Sequence, residues 1–175
     1  MKISVIIPHV SSPKWDAMLK RCVQSLKGCD ELIVVVNDFI GFAKAVNKGL
    51  SIATGDYLFI VNNDTEMLDG DLHSMCFEEA LGSALVNGVR ELTPGCFFSM
   101  SRNTFETIGF LDERFELGMY EDEDYFRRCK EKNIPIILED EVKIKHKRAM
   151  TMKTLDCKEI DKVNKAKFIE KWGSV

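Results

Sequence analysis

Several things are missing from this chain, and each absence removes a class of function. No apolar run approaches the roughly 18 residues that span a bilayer as a helix. No Cys-x-x-Cys pair occurs. The six cysteines, Cys22, Cys29, Cys76, Cys96, Cys129 and Cys157, stand far apart, so neither a zinc site nor a dense disulfide framework is indicated. They read as free thiols of a reducing compartment. Positive charge is not in excess: the net charge is −4 and the pI about 5.5, which leaves no basic field to attract nucleic acid. A glycine-rich phosphate loop with a following basic residue is absent near the N-terminus, which counts against a nucleotidyltransferase. Repeats, low-complexity segments and linkers are absent too. The first apolar run is cut by Pro8 and His9 before a signal-peptide core can form. The expectation is a cytoplasmic protein with no nucleic-acid partner and no transmembrane segment. Clusters of Lys and Arg over 143–153 and 162–171 read as solvated helix faces and leave room for peripheral contact with anionic headgroups at a membrane.

What is present is an ordinary globular composition, 45% hydrophobic and 30% charged over 175 residues, enough for one domain with a real core. The β-branched run Ile3–Ile7 predicts a strand stopped by Pro8. Ser12 and Pro13 predict a helix start, with Trp15, Met18, Leu19, Cys22, Val23 and Leu26 on one face and Gly28 as the stop. Leu32–Val36 predicts a second buried strand, and the βαβ spacing makes it parallel to the first. A second helix over 41–53 leads to a third strand, Tyr57–Val61. Further on, the pattern predicts a helix over 71–81, strands over 84–90 and 96–100, and a short helix over 103–108. A loop over 111–118 then leads to a helix over 121–132, short strands over 134–138 and 142–144, and a last helix capped by Asp156 with Ile160, Val163, Phe168 and Trp172 inward.

Two successive strands end in polar clusters, Asn37-Asp38 and Asn62-Asn63-Asp64. In a parallel sheet both fall on one edge, where open α/β sheets bind ligands. The plain alternative is a polar turn, since Asn and Asp commonly terminate strands. Likewise, the four acids Glu121, Asp122, Glu123 and Asp124 at a helix start fit the helix dipole without any chemistry, although four like charges repel and tend to raise a pKa. Arg127 and Arg128 stand one turn later, spaced to offset them.

Taken in order, SVIIP (4–8), ELIVVVND (31–38), GFAKAVNKGLSIATGDYLFIVNNDTEM (41–67), PGCFFSMSRNTFETIGFLDERFELGMYEDEDYFRR (94–128) and KIKHKRAMT (143–151) resemble a family 2 glycosyltransferase, in particular its rhamnosyltransferase-like members. The resemblance runs from Ser4 to His146. It implies an α/β GT-A fold, Rossmann-like, with a mixed, mostly parallel sheet flanked by helices. It implies a single domain over 1–175: a nucleotide-sugar-binding half over 1–92, an acceptor and catalytic half over 93–152, and a C-terminal helix over 153–175. The activity it implies is metal-dependent transfer of a sugar, with inversion in the family's usual manner, from a UDP- or dTDP-sugar donor to a saccharide or lipid-linked acceptor.

Residue by residue, the resemblance places the family's Asp-x-Asp on Asn62-Asn63-Asp64. Asp64 then ligates Mn2+ or Mg2+, hard ions that favour oxygen. Asn62 replaces the first acid and brings a carbonyl oxygen without charge. His146 matches a histidine near the metal or diphosphate, with Lys145, Lys147 and Arg148 beside it to neutralise phosphate. Pro8, His9, Asn37 and Asp38 fall at the nucleoside, Asn47 and Asn63 near the sugar nucleotide, and Gly95 and Cys96 on the floor beneath the sugar. Asp122 is the expected general base, with Glu121 or Asp124 as the alternatives. The shortened loop before Gly41, the neutral Asn62 and the short chain after His146 keep a second function open: a weak or inactive nucleotide-sugar-binding protein that needs a partner for its acceptor site. A homo-oligomer is compatible with either.

Overall fold

The computed structural model describes residues 1–36, 39–90, 95–147 and 157–174. Its centre is β3, Tyr57–Val61, in which all five residues are buried. Alternation explains why both faces need apolar residues. Tyr57, Phe59 and Val61 enter one core with Ile3, Val5 and Ile7 of β1 (Ile3–His9) and with Cys22, Leu19 and Val23 of α1 (Pro13–Ser25). Leu58 and Ile60 enter the other, against Ala43, Val46 and Leu50 of α2 (Phe42–Ile52) and Tyr125, Phe126 and Cys129 of α4 (Glu121–Glu131). Helices on both faces of the sheet make this an α/β fold.

The sheet has seven strands in the order β2-β1-β3-β6-β5-β7-β4. These are β2 (Glu31–Val36), β4 (Thr65–Asp69), β5 (Leu81–Val86), β6 (Phe97–Ser101) and β7 (Ile136–His146), with β1 and β3. β1 pairs in parallel with β2 and β3, and β5 with β7, whereas β6 and β4 run against their neighbours. The sheet is therefore mixed and mostly parallel, as expected. The other helices are α3 (Arg102–Ile108) and α5 (Cys157–Trp172).

Five local expectations need correction. β2 is an outer strand, not a buried one: Leu32, Val34 and Val36 are exposed at 42%, 37% and 54%, because α2 covers one face while α1 lies against β4 instead. The helix expected over 71–81 is a single 3-10 turn, Leu72–Met75, capped by Asp71, which accepts from His73 N at 2.8 Å. Its two apolar residues three apart suit that tighter turn, and the chain then straightens into β5. That strand ends at Val86, because Asn87 and Gly88 adopt φ of +51° and +74°, the hairpin-type turn that an Asn-Gly pair favours. β7 is one strand, not two, with a register shift opposite Ala84 and Leu85 where its pairing with β5 is interrupted. In α5 the buried side chains are Asn164 and Phe168, and Val163 is exposed. β4 (Thr65–Asp69) has no counterpart among the sequence-based expectations, and the cap assigned to Asp156 lies outside the described residues.

Candidate functional site

The parallel strands end together on one edge, and the turn after β3 is fastened there from several sides. Asn62 N donates to Cys96 O at 2.8 Å, tying the turn to the start of β6. Thr65 closes it by donating both N (3.1 Å) and Oγ1 (2.8 Å) to Asn62 O. The antiparallel pairing of β4 with β7 puts Thr65 opposite His146. As a result His146 Nε2 lies 3.2 Å from Asp64 Oδ1, and Lys147 N donates to Asp64 O at 3.2 Å. Asn63 turns towards β1 instead, where Nδ2 donates to His9 Nδ1 at 2.8 Å. His9, only 3% exposed and directly after Pro8, donates in turn from Nε2 to Asp16 Oδ1 at 2.8 Å. That bond holds the Asp16 carboxyl below its usual range. The Asn63–His9–Asp16 chain thus locks the turn to the first turn of α1.

Asp64 and His146 fit a divalent ion in chemistry and spacing, and Asn62 offers an oxygen of suitable chemistry. Asp64 is buried, and the Nε2–Oδ1 contact to His146 lacks the alignment of a hydrogen bond, leaving Nε2 without a partner. Asn62 Oδ1 is also buried with no hydrogen bond. Two ligands of one Mg2+-sized ion stand roughly 3 Å apart at 90°, which is the spacing of this pair. Among the described residues no three His, Cys, Asp or Glu side chains gather as an ion-binding group. Such an ion would therefore lean on Asn62 and on oxygens of its ligand.

Across Cys96 lies a different construction. Asp122 sits so close over Gly95 that a Cβ there would stand 1.9 Å from its Oδ2, so only glycine admits the carboxylate at this place. Since Cys96 O accepts from Asn62 N, Asp122 and the Asn62–Asp64 turn share one strand end. Asp122 Oδ1 accepts from Glu123 N at 3.0 Å. Glu121 is 6% exposed, and its Oε2 has no partner. Burial, with the neighbouring Asp122 charge second, pushes Glu121 well above the usual carboxylate range, and burial also raises Asp122. Glu123 is raised by burial and by Asp122.

The loop before these acids has an unusual backbone. Leu117, Met119 and Tyr120 take φ of +62°, +76° and +72°, with Gly118 at +146° between them. Left-handed conformations cost non-glycine residues roughly 1–2 kcal/mol each. Asn164 of α5 opposes this: its Nδ2 donates to Glu116 O (2.9 Å), Gly118 O (2.8 Å) and Met119 O (3.2 Å), and its Oδ1 accepts from Glu116 N (3.3 Å). Asp124, in contrast, is a structural anion. It is fully buried, and Arg128 Nε (2.9 Å), Trp172 Nε1 (2.9 Å) and Lys171 Nζ (2.6 Å) surround it. Arg128 thus makes the expected pairing one turn on, whereas Arg127 binds Ser174 O and Trp172 O and lies over the Trp172 ring.

Asn47 stands apart from these groups. It is buried, and its amide holds the 111–113 loop by donating to Leu111 O and Glu113 Oε1 and accepting from Leu111 N, each at 2.9 Å. Lys147 Nζ lies 3.7 Å from Glu66, and Lys145 is exposed. Asn37, Asp38, Pro94 and Arg148 lie outside the described residues. Sequence reasoning missed Asp16, Thr65 and Asn164. Only Asn164 left a signal, an amide four residues before Phe168 on the stripe that packs inward.

The fold has known counterparts. Glucosyl-3-phosphoglycerate synthase from Mycobacterium tuberculosis, solved with Mn2+, UDP and glucosyl-3-phosphoglycerate, superposes with a TM-score of 0.66 at 12% identity, over 99% of this chain and 81% of that one. A β1,4-galactosyltransferase 7 from Drosophila, solved with manganese, UDP-Gal and xylobiose, gives 0.60 at 13% identity over 81% of this chain, which spans only 65% of that chain. At such identities the likeness shows the GT-A fold alone. No curated protein sequence matches. The pattern of "Glycosyl transferase family 2" matches residues 17–134, most of the chain, and no helix among the described residues is long and apolar enough to cross a membrane. The chain belongs to glycosyl transferase family 2.

Proposed function

We propose that the protein transfers a sugar, with inversion, from a nucleoside-diphosphate sugar to an acceptor hydroxyl, using a divalent metal. One observation carries the reading: the Asp64–His146 pair and the Asp122 carboxylate share a strand end, joined through the bond from Asn62 N to Cys96 O. A group that holds a diphosphate and a group that takes a proton must stand this close for one displacement to use both.

Asp64, His146 and Asn62 would hold Mn2+ or Mg2+, which supplies positive charge to the departing diphosphate. Asn63, fixed through His9 and Asp16, keeps the turn in place. Pro8 and His9, at the end of β1, would border the nucleoside. Asp122 accepts the acceptor's proton at a carboxylate oxygen, and its raised pKa brings it nearer the working pH, as a general base requires. A single carboxylate acting on the acceptor, with no covalent sugar intermediate, is what favours inversion. Glu121 is the second candidate, and Asp124 is excluded from that role by its three cationic and N–H partners.

The donor is a UDP- or dTDP-sugar. UDP or UDP-Gal occurs in both solved relatives, which supports the UDP arm of this pair. The acceptor is a saccharide or lipid-linked hydroxyl, met in the cytoplasm or at the membrane surface. In this reading residues 1–92 bind the donor, 93–152 complete the acceptor side, and 153–175 brace it. Thermal shift with UDP-glucose, UDP-galactose, UDP-N-acetylglucosamine and dTDP-rhamnose, each with Mn2+, tests it, since a ligand of the folded state raises the midpoint. A hit that also hydrolyses slowly supports transfer. A hit without hydrolysis favours the binding protein, and a blank panel with and without metal removes the proposal.

A further inference from the structure

The C-terminal helix carries a residue that no part of the reaction yet uses. Asn164 is 1% exposed, lies about 40 residues beyond the Glu121-Asp122 pair in sequence, and directs every polar atom of its amide at the backbone just before that pair. We propose that Asn164 is a positioning residue: by binding the carbonyls of Glu116, Gly118 and Met119 it holds the left-handed 117–120 loop that aims Glu121 and Asp122 at the strand end. The inference rests on reading those two carboxylates as the acceptor side of the site.

Three features argue for this role over general packing. The bonds go to the carbonyls of Glu116, Gly118 and Met119, in and just before a run, 117–120, whose φ values are all positive, so they act where the backbone would otherwise relax. Neighbouring contacts serve the same segment. Lys167 Nζ donates to Arg114 O and Glu116 Oε1, both at 2.9 Å, and Tyr120 OH donates to Asp161 Oδ1 at 3.3 Å. Finally, the downstream end is fixed independently by Trp172 and Lys171 on Asp124, so α5 grips the acidic turn at both ends and Asn164 controls the end nearer Asp122. An amide is required there. Asp would set two oxygens against three carbonyls, and a shorter or apolar side chain would leave them unpaired.

The test uses the full chain with Asn164→Ala, Asn164→Ser and, as a control on the exposed side of the same helix, Val163→Ala. Amide hydrogen exchange is followed over 116–124, and the carboxyl groups of Glu121 and Asp122 are titrated by carbon-13 NMR, with Glu123 and Asp161 as the charged neighbours to be tracked alongside. Loss of Asn164 should speed exchange in 117–122 at least tenfold relative to the core strands and move both carboxyls towards ordinary values, while Val163→Ala changes neither. With whichever nucleotide sugar of the panel is hydrolysed, kcat should fall on the order of 100-fold, as for an angstrom-scale misplacement, with UDP and Mn2+ binding unchanged by calorimetry. Unchanged exchange and titration in a folded Asn164→Ser protein would overturn the inference. So would a parallel loss of kcat and UDP affinity, which is what general destabilisation gives. If the carboxyls respond but wild type hydrolyses no donor, the positioning role stands and the transferase reading falls. Should both Asn164 variants fail to fold, Lys167→Met decides. Local loosening of 114–118 upholds α5 as the brace of this loop, and none there refutes it.

Discussion

The proposed donor side and the proposed acceptor side of the candidate site share a strand end but are held by opposite means. Around Asp64 the contacts come from the turn itself and from strands already paired in the sheet: Thr65 onto Asn62, β4 against β7, Asn63 onto His9. No residue of 62–65 has a positive φ, and the sheet's own pairing supplies the support. Around Asp122 the backbone is left-handed through Leu117, Met119 and Tyr120, and support arrives from α5, a helix outside the matched family pattern. A metal-binding turn can be rigid because its ligand comes to it. A loop that must receive a second substrate gains from being held by a separate element.

The comparison can be broken most sharply at Asp122. Asp122→Asn should lower donor hydrolysis and transfer about 10²- to 10⁴-fold, the usual range for a general base, while calorimetry shows UDP and Mn2+ bound as before. Equal rates would move the base to Glu121. Two residues on, Asp124→Ala should behave in the opposite way. Removing the buried partner of Arg128 and Lys171 should cost about 3 kcal/mol in urea unfolding, and a near-neutral result would undo its structural assignment. On the donor side, Asp64→Asn should weaken the Mn2+-dependent part of UDP binding at least about tenfold with little change in stability. Persistence of metal-dependent binding would show the ion to be elsewhere. Gly95→Ala sets the two sides against each other directly. The added methyl must displace Asp122 Oδ2, so the rate should drop about tenfold or more with donor affinity kept.

The smallest effect is in the pH dependence of stability. Glu121 titrates above its usual 4.5 in the folded chain. Folding therefore favours its protonated form, and that contribution is complete below about pH 4.5 and is lost as pH rises through the raised value. Replacing it by a permanently neutral group should narrow the fall in melting temperature between pH 5 and pH 8, by about 2–4 °C for each kcal/mol recovered. Glu31, at the far end of the sheet, has the reverse sign. Hydrogen bonds from Ser4, then from Thr54 N and Oγ1, lower it to about 2, so its contribution is present above 4.5 and fades as pH falls towards 2. Glu31→Gln should therefore reduce the wild-type advantage at pH 6 and leave it unchanged near pH 2.

Much of this architecture was legible beforehand for a local reason. β3 was read to the residue because a five-residue apolar run bounded by Gly55 and Asn62 has one interpretation when both its faces are covered. Ser12 was read as a cap, and its Oγ does accept from Trp15 N at 3.3 Å. Where reading failed, a contact remote in sequence decided. The apolar alternation of β2 looks the same as that of a central strand, yet among the described residues no further strand pairs beyond it. The 71–81 segment has helical spacing but makes only one 3-10 turn before the chain straightens into β5. Asn47 and Asn63 looked equally apt for a ligand. Tertiary packing gave the first to Leu111 and Glu113 and the second to His9.

The amino-acid sequence by itself determined the strand–helix alternation, the polar strand end at Asn62–Asp64 and the acidic helix start, since each depends on periodicity and composition within a dozen residues. Only the tertiary structure decided which acid is free. Asp124 is neutralised by Arg128 and by Lys171, 47 positions away, Asp122 lies over Gly95, and Glu121 is desolvated with Oε2 unpartnered. The reason is that burial and charge pairing, which set what a carboxylate can do, are properties of neighbours brought together by the fold and not of neighbours in the chain.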